Sequence, residues 1–117
     1  MIKTYNGSKL GITSSHRKAL LRNLATDLFF HEKIITTLSK AKELASYSEK
    51  LITKAKKNNL CAVRALNTKI NNKSVVKKVF DVLVPRYNDR HGGYTQIFKL
   101  GFRRGDNSEL AMIKLVN

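Results

Sequence analysis

The residues best able to do chemistry in this sequence are cations mixed with hydroxyls, and the first such group stands at the start of a predicted helix. Its members are Ser14, Ser15, His16, Arg17, Lys18 and Arg22. A helix N-terminus already carries partial positive charge and unpaired N–H groups, so cations there are locally unfavourable. A bound phosphate would reverse this, because N–H groups, hydroxyls and cations would converge on one anion. A solvated helix end is the alternative, but the sign of the charge favours phosphate binding.

A second group opens the next predicted helix, where Thr37, Lys40 and Lys42 again combine a hydroxyl with cations. Four more lysines stand near the far end of that helix: Lys50, Lys54, Lys56 and Lys57. Cations suit the C-terminal end of a helix dipole and need no ligand there. Only the first set is therefore predicted to contact phosphate.

A third basic segment, Pro85–Thr95, interleaves arginines with tyrosines and glycines. Its candidate contacts are Arg86, Arg90, Gly93, Tyr94 and Thr95. Arginine grips phosphate with a planar fork, tyrosine can stack on an exposed base, and glycine permits close approach of the backbone. Tyr87 and Tyr94 could equally be core or hairpin aromatics, and for either tyrosine alone that alternative stays open. The segment as a whole favours RNA.

The fourth group lies in the polar loop Gly101–Asn107, which contains the candidate contacts Arg103, Arg104 and Asn107. A long loop inside a compact domain usually has a function, and we expect the arginine pair to reach a phosphate groove. The tripeptide Arg104-Gly105-Asp106 matches an integrin-recognition motif by chance, since no secretion signal accompanies it.

Enzymatic chemistry finds little support in the sequence. The histidines His16, His31 and His91 are far apart and share no metal-ligand spacing. Cys61, the only cysteine, is predicted to lie on the inner or edge face of a short helix as a core residue. The acidic residues are scattered, and no phosphate-binding loop or dinucleotide motif is present. The sequence therefore predicts no catalysis, no metal, no cofactor and no small-molecule substrate.

The charge balance indicates the kind of partner. The chain of 117 residues has 23 Lys and Arg against 8 Asp and Glu, a formal net charge of +15. A compact domain with this charge repels itself unless a polyanion is nearby. No stretch resembles a signal peptide or is long and apolar enough to cross a bilayer, so a cytoplasmic location is expected.

The elements that must position these groups follow from the spacing of apolar residues. Helices are predicted from a cap at Ser14 or Ser15 to near His31, from Thr36 or Thr37 to Lys57-Asn58-Asn59, over Leu60–Lys69, and from Ser74 to Pro85. Strands are predicted at Lys33–Thr36, Tyr94–Leu100 and Leu110–Val116. The third helix should turn Leu60, Val63, Leu66 and Ile70 inward. Together these elements predict an α+β fold, with about four helices packed on a small mixed sheet of about three strands.

The chain is expected to divide into two parts. Residues 1–13 are polar and contain two glycines, which predicts an extended basic N-terminal arm whose candidate RNA contact is Lys9. Residues 14–117 are predicted to form a single α+β RNA-binding domain, since a chain of this length supports one hydrophobic core.

Several strings resemble those of one protein family. Thr13–Leu24 looks like the first-helix signature of the L17 family of bacterial large-subunit ribosomal proteins, and Thr36–Leu44 and Lys50–Lys57 resemble the two ends of its second helix. Further matches follow in the family's order: Pro85-Arg86-Tyr87, Gly92-Gly93-Tyr94-Thr95, Lys99-Leu100-Gly101 and Arg103-Arg104-Gly105-Asp106-Asn107. The resemblance covers nearly the whole chain, and the order and spacing of the strings make it specific.

The resemblance implies an α+β structural constituent of the large ribosomal subunit that binds large-subunit ribosomal RNA and supports translation. It also implies neighbouring ribosomal proteins near the polypeptide exit region, and it makes the matching residues of the four basic groups RNA contacts. The arm departs from the family pattern, which usually begins with a run of Arg, His and Lys, whereas this chain has Ile2-Lys3-Thr4-Tyr5. Tyr5 could replace a charged contact by stacking.

Two other functions fit the same charge. A free-standing nucleic-acid-binding regulator or architectural protein would need a groove-reading helix, for which Arg17, Arg22 and Asn23 offer thin support. Binding to a membrane surface is a more remote alternative, because the basic helices lack bulky apolar faces beyond those that the core needs.

Overall fold

The computed structural model describes residues 13–116. The predicted arm, residues 1–13, and its candidate contact Lys9 therefore lie outside the described residues, apart from Thr13. The helices are α1 (Ser14–His31), α2 (Leu38–Ala55), α3 (Leu60–Lys69) and α4 (Lys73–Lys78), which continues through a π-helical segment (Val79–Leu83) into a last turn (Val84–Arg86). The strands are β1 (Lys33–Thr37), β2 (Thr95–Phe102) and β3 (Glu109–Leu115).

The three strands form one sheet in the order β1-β3-β2. Ile34 of β1 and Ile97 of β2 both lie opposite Ile113 of the central strand, and both pairings are antiparallel. The α+β class and the three strands are confirmed, whereas the expected mixed sheet is wrong, since the strands described here pair only in antiparallel fashion. The ladder of β2 is interrupted between Lys99 and Gly101, and Gly101 has a φ of 108°, which a residue with a Cβ would resist.

The helices cover one face of this sheet. Alternate residues of β3 point towards them, and Ala111, Ile113 and Leu115 are buried. The buried residues that the helices contribute to this core include Leu28, Phe29, Leu44, Leu51, Ile52, Leu66, Ile70, Val79 and Leu83. Within residues 13–116, no helix is long and apolar enough to cross a membrane.

The first helix starts one residue earlier than a serine cap would allow. Thr13 is the capping residue, because its Oγ1 accepts a hydrogen bond from the backbone N–H of His16 at 3.3 Å. Ser14 and Ser15 are both inside the helix, so the prediction that one of them caps it is wrong. The predicted end at His31 is confirmed.

The last helix also begins before its predicted cap. Asn72 accepts a hydrogen bond from the backbone N–H of Ser74 at 2.9 Å, so Asn72 and not Ser74 is the cap. The π-helical segment ends just before Pro85, whose ring would clash with the carbonyl four residues earlier in a regular α-helix. The helix ends at Arg86, directly after this proline, as expected.

Helix α3 has the predicted bounds and most of the predicted inner face. Leu66 and Ile70 are buried as expected and Val63 is half-buried, whereas Leu60 is 63% exposed, so its predicted inward position is wrong. Cys61 is exposed too, so the expectation of a core cysteine is wrong. The cap of the helix accounts for this. Asn59 accepts a hydrogen bond from the N–H of Ala62 at 2.8 Å, and in the turn that this bond fixes Ala62 is buried while Leu60 and Cys61 are exposed to solvent.

Glu32 connects α1 to β1 at a tight reversal of the chain. It adopts a left-handed conformation with φ 67°, and its N–H donates to the carbonyl of Leu28 at 2.7 Å. Its carboxylate accepts a hydrogen bond from Arg86 at 2.6 Å and pairs with Lys78 at 3.1 Å. The hydrogen bond from Arg86, opposed by burial and assisted by Lys78, lowers the pKa of Glu32. This carboxylate therefore ties the end of α1 to the last helix.

We expect Glu32→Gln to lower the free energy of unfolding by about 1 kcal/mol at pH 7, because two partly exposed ion pairs are lost while side-chain size is kept. A carboxyl group whose pKa falls on folding stabilises the fold above its unfolded pKa, and the effect disappears as the pH falls through the folded pKa. Urea unfolding should show the two proteins differing at pH 7 and converging well below pH 4.5, the ordinary pKa. An equal difference in the free energy of unfolding at both pH values would mean that the lost charge is not the cause.

Candidate nucleic-acid interface

The start of α1 presents the first predicted group at the surface. Ser14, Ser15, His16 and Lys18 are exposed, and Arg17 is half-buried. The first turn contains no acidic residue, so these cations add to the partial positive charge of the helix end. Since neither serine caps the helix, both hydroxyls remain beside the cations. The arrangement is the one that an anion at this helix end would stabilise.

Arg22 lies two turns further along α1 and is half-buried against α2. Its Nε is enclosed and has no hydrogen-bond partner in the described part of the chain. Its charge acts on Tyr47 of α2, whose pKa is raised by burial and lowered to a smaller degree by Arg22. Arg22 therefore stands apart from the exposed cations of the first turn, with part of its guanidinium turned towards protein.

The C-terminal half of α2 is bonded to the segment that precedes β2. Lys56 Nζ donates to the carbonyl of Arg90 and, at 3.1 Å, to the hydroxyl of Tyr94. That hydroxyl donates in turn to the Arg90 carbonyl at 3.0 Å. Nearer the middle of α2, Glu49 Oε2 accepts a hydrogen bond from Thr95 Oγ1 at 2.8 Å. These bonds hold the segment along the side of the helix.

A groove with a cationic rim runs along this seam. It consists of two adjoining cavities of about 460 and 450 Å³ that share Thr53, Gly92 and Tyr94. We name it the α2 groove; it is lined by Ser46, Glu49, Lys50, Thr53, Lys54, Lys56, Lys57, His91, Gly92 and Tyr94. Glu49 is the only acidic residue of this lining, and one of its oxygens is already bound by Thr95. The groove therefore offers a positive surface with little competing negative charge.

Sequence reasoning did not include the lysines of the α2 groove among the binding residues, because cations at a helix C-terminus need no ligand. The structure places Lys50, Lys54 and Lys57 beside the third basic segment, and His91 of that segment, which was not a predicted contact, lines the same groove. Lys50 and Lys54 are four residues apart on α2 and therefore share one face of the helix, and Lys57 lies in the turn directly after its last residue, Ala55. That spacing was the available signal, but the position of the facing segment depends on bonds between residues far apart in sequence.

The third predicted group is only partly available to a ligand. Tyr94 is 1% exposed, so its ring cannot stack on a base, and the core alternative holds. Tyr87 is also 1% exposed, and its ring centroid lies 5.1 Å from that of Tyr94. Arg86 is engaged by the carboxylate at the end of α1. Arg90 and Gly93 are exposed and remain candidate contacts.

The loop between β2 and β3 is shorter than predicted, because β2 extends to Phe102. Arg103 binds Asp106 with two hydrogen bonds, Nε to Oδ1 at 2.9 Å and Nη2 to Oδ2 at 2.6 Å. These bonds hold the pKa of Asp106 well below its usual range. Asn107 closes the turn with φ 57° and donates its N–H to the Arg103 carbonyl at 2.9 Å. Arg104 is exposed and forms no hydrogen bond or ion pair with another described residue.

The second predicted group meets this loop at the start of α2. Thr37 lies opposite Leu110 in the sheet and occupies the cap position of α2 without a capping bond from its side chain. It shares a cavity with Ser108 at the end of the loop. Lys40 is half-buried and Lys42 is exposed. Because α2 has 18 residues, this basic surface and the α2 groove lie near opposite ends of a helix roughly 27 Å long.

The side-chain clusters in the part of the chain that the structure describes consist of cations rather than of potential metal ligands. No three His, Cys, Asp or Glu side chains come together there in a way that could hold a metal ion. The side chains that do come together are cations, at the start of α1, along the α2 groove and around the β2–β3 loop. This distribution suits a large polyanion better than a small ligand.

Comparison with known proteins agrees with this geometry. The family model of Ribosomal protein L17 matches residues 20–116. Large ribosomal subunit protein bL17 of Endomicrobium trichonymphae is 72% identical over 116 residues, which is 99% of each chain. Proteins of the same name from Rickettsia bellii (strain OSU 85-389) and Halothermothrix orenii are 56% and 55% identical, over 95% and 92% of this chain and 78% and 95% of theirs. The chain therefore belongs to the ribosomal protein L17 family.

Proposed function

We propose that this protein is a structural constituent of the bacterial large ribosomal subunit that binds and stabilises folded large-subunit ribosomal RNA. The names of its relatives support the subunit, and the α2 groove is the observation that carries RNA binding. The protein acts in the cytoplasm within the ribosome and supports translation by holding RNA in shape, without a catalytic step.

The α2 groove is suited to an RNA backbone. Lys50 and Lys54 of α2 and Lys57 of the turn that follows it line one wall of the groove, and His91 lines the opposite wall. Cations arranged in this way displace counterions from phosphates, so affinity should fall steeply as salt rises. The hydrogen bonds that join the two walls fix their relative position within the protein itself, so no conformational entropy is lost in bringing the walls together on binding.

Three further surfaces extend the proposed contact. The start of α1 supplies N–H groups, hydroxyls and cations to one phosphate, and the start of α2 and the β2–β3 loop supply the other two surfaces. The residues assigned to these surfaces are Ser14, Ser15, His16, Arg17, Lys18, Arg22, Thr37, Lys40, Lys42, Arg104 and Asn107, together with Lys9 of the arm. Folded RNA is recognised mainly by shape, 2′-hydroxyls and phosphates, which scattered cations on a rigid domain can match.

The two arginines of the β2–β3 loop should differ in their effects on RNA binding. We expect Arg104→Gln to weaken binding to large-subunit ribosomal RNA roughly tenfold and to reduce the salt slope by about 1, because its guanidinium is free to meet a phosphate. Arg103→Gln should change affinity less than about threefold, because Asp106 already occupies that guanidinium. Filter-binding titrations at several salt concentrations measure both. Equal losses of RNA affinity in the two variants would mean that the ion pair between Arg103 and Asp106 opens on binding.

Other large-subunit proteins are proposed neighbours in addition to RNA, and the family resemblance suggests a position near the polypeptide exit region. A density map of the intact large subunit tests this position directly. Density for the chain at a site remote from the exit would refute it while leaving the RNA contacts unaffected.

Sedimentation tests the central proposal. A tagged copy expressed in its host should migrate with large subunits on a sucrose gradient and stay there through a salt wash that removes loosely bound proteins. A tagged chain that stayed in the ribosome-free fractions during growth would refute the proposal.

The geometry disfavours a free-standing regulator that reads a DNA groove. Asn23 of α1 is hydrogen-bonded to Asn71, and Arg22 is half-buried, so α1 offers few free side chains to base edges. Selective binding to one short duplex, with a loss of about 1–3 kcal/mol per altered base pair, would reverse this judgement.

A further inference from the structure

The face of the sheet turned away from the helices carries an apolar patch. Because alternate residues of β3 are buried against the helices, Leu110 and Met112 point outward. The strand register places Ile35 of β1 and Phe98 of β2 on either side of Met112. Ile35 is 64% exposed and Phe98 is 43% exposed. We name these four residues the outer-sheet patch.

One end of the outer-sheet patch is cationic. Lys33 lies directly opposite Lys114 on the neighbouring strand, a pairing that like-charge repulsion disfavours. Neither lysine pairs with an acidic residue in the described part of the chain. The outward positions of the three strands next to them carry Gln96 and apolar residues but no Asp or Glu. An anionic group from outside the chain would therefore stabilise these two ammonium groups.

RNA fits the outer-sheet patch poorly. Its centre has no cation or hydrogen-bond donor for a phosphate, and Ile35 and Met112 present no planar surface to a base. The one aromatic ring of the patch, Phe98, has the Lys114 ammonium 6.0 Å from its centroid, so a base that stacked on this ring would compete with that cation. A second copy of the chain fits no better, since it would bring another net charge of +15.

We infer that the outer-sheet patch is the docking surface for a neighbouring protein of the large subunit, an inference that rests on the proposed function. The partner presents an apolar surface to Ile35, Phe98 and Met112 and an Asp or Glu side chain to Lys33 and Lys114. Contiguous exposed apolar residues on a folded domain mark protein contacts, and the lysine pair supplies the charge complementarity that selects and orients the partner.

Photo-crosslinking in assembled subunits tests the inference. Phe98 is replaced with p-benzoylphenylalanine in the full-length chain, large subunits are isolated and irradiated, and the crosslinked peptide is identified by mass spectrometry. We expect a crosslink to another large-subunit protein, within a segment that contains Asp or Glu. The same analogue at Ile35, which is more exposed, serves if the first variant does not fold.

A charge reversal adds a second measurement. Lys33→Glu with Lys114→Glu should lower the crosslink yield about fivefold or more, whereas Lys69→Glu with Lys77→Glu, an equal change at exposed sites on the helices, should leave it unchanged. A crosslink to RNA, to a second copy or to nothing in subunits that contain the chain overturns the inference alone. Absence of the chain from large subunits overturns the proposed function as well.

Discussion

Replacing Lys50, Lys54 and Lys57 together with glutamine is expected to weaken binding to large-subunit ribosomal RNA on the order of 100-fold. Each of these exposed lysines is assigned one phosphate contact in the α2 groove, and three lost contacts at about 1 kcal/mol each give this factor. The slope of log affinity against log salt should fall by about 1 for each lysine, because fewer counterions are released. Titrations across a salt series measure both quantities.

The matched control replaces three other exposed lysines, Lys69, Lys73 and Lys77, with glutamine. This variant loses the same total charge but keeps the α2 groove intact, so its loss of affinity should be several times smaller. If both triple variants lost affinity equally, net charge rather than the groove would determine binding. Urea unfolding of all three proteins should be nearly identical, since none of the six lysines forms an ion pair with another described residue.

The largest effect on stability is expected at Tyr94. Tyr94→Ala removes a fully buried ring and should lower the free energy of unfolding by about 3–5 kcal/mol. A domain of this size has only about 5–15 kcal/mol in total, so this variant should be partly unfolded at 37 °C. Denaturant unfolding followed by circular dichroism measures the loss.

Tyr94→Phe removes the hydroxyl and keeps the ring, so it measures the contribution of the hydroxyl alone. The hydroxyl joins Lys56 to the carbonyl of Arg90, and we expect its removal to cost about 1–2 kcal/mol, because a charged donor loses a partner. Tyr47→Phe is the control, since that hydroxyl forms a single longer bond of 3.3 Å near the surface. A Tyr94→Phe protein as stable as the unaltered chain would show that Lys56 does not hold the groove together through this residue.

Most of the secondary structure could be predicted, because it depends on local patterns. The apolar spacing of α1, α2 and α3 was long enough to give bounds close to those observed, and two apolar runs near the end of the chain gave β2 and β3. Helix starts were less accurate. A serine within two residues of a threonine or asparagine is as acceptable a cap by composition, and the choice depends on backbone angles around Thr13 and Asn72.

The candidate site could be predicted less completely than the fold, for a physical reason. Whether a cation is free depends on its partner, and the partners here come from distant parts of the chain. Arg86 looked available until Glu32 was seen beside it, and Lys56 looked merely solvated although it bonds to residues 90 and 94. Charge and spacing identify candidate residues, and tertiary contacts decide which of them can meet RNA.

The order of strands in the sheet has a consequence for synthesis of the protein. The central strand, β3, follows both of its partners in the chain, and both β1 and β2 form their ladders with it. While the chain is still being translated, the helices can form from local contacts, but β1 must wait until β3 has been made before it finds its partner. A chain that stops before Glu109 therefore cannot form either ladder of this sheet, and the nascent chain exposes its apolar strands to chaperones and proteases until β3 leaves the ribosome.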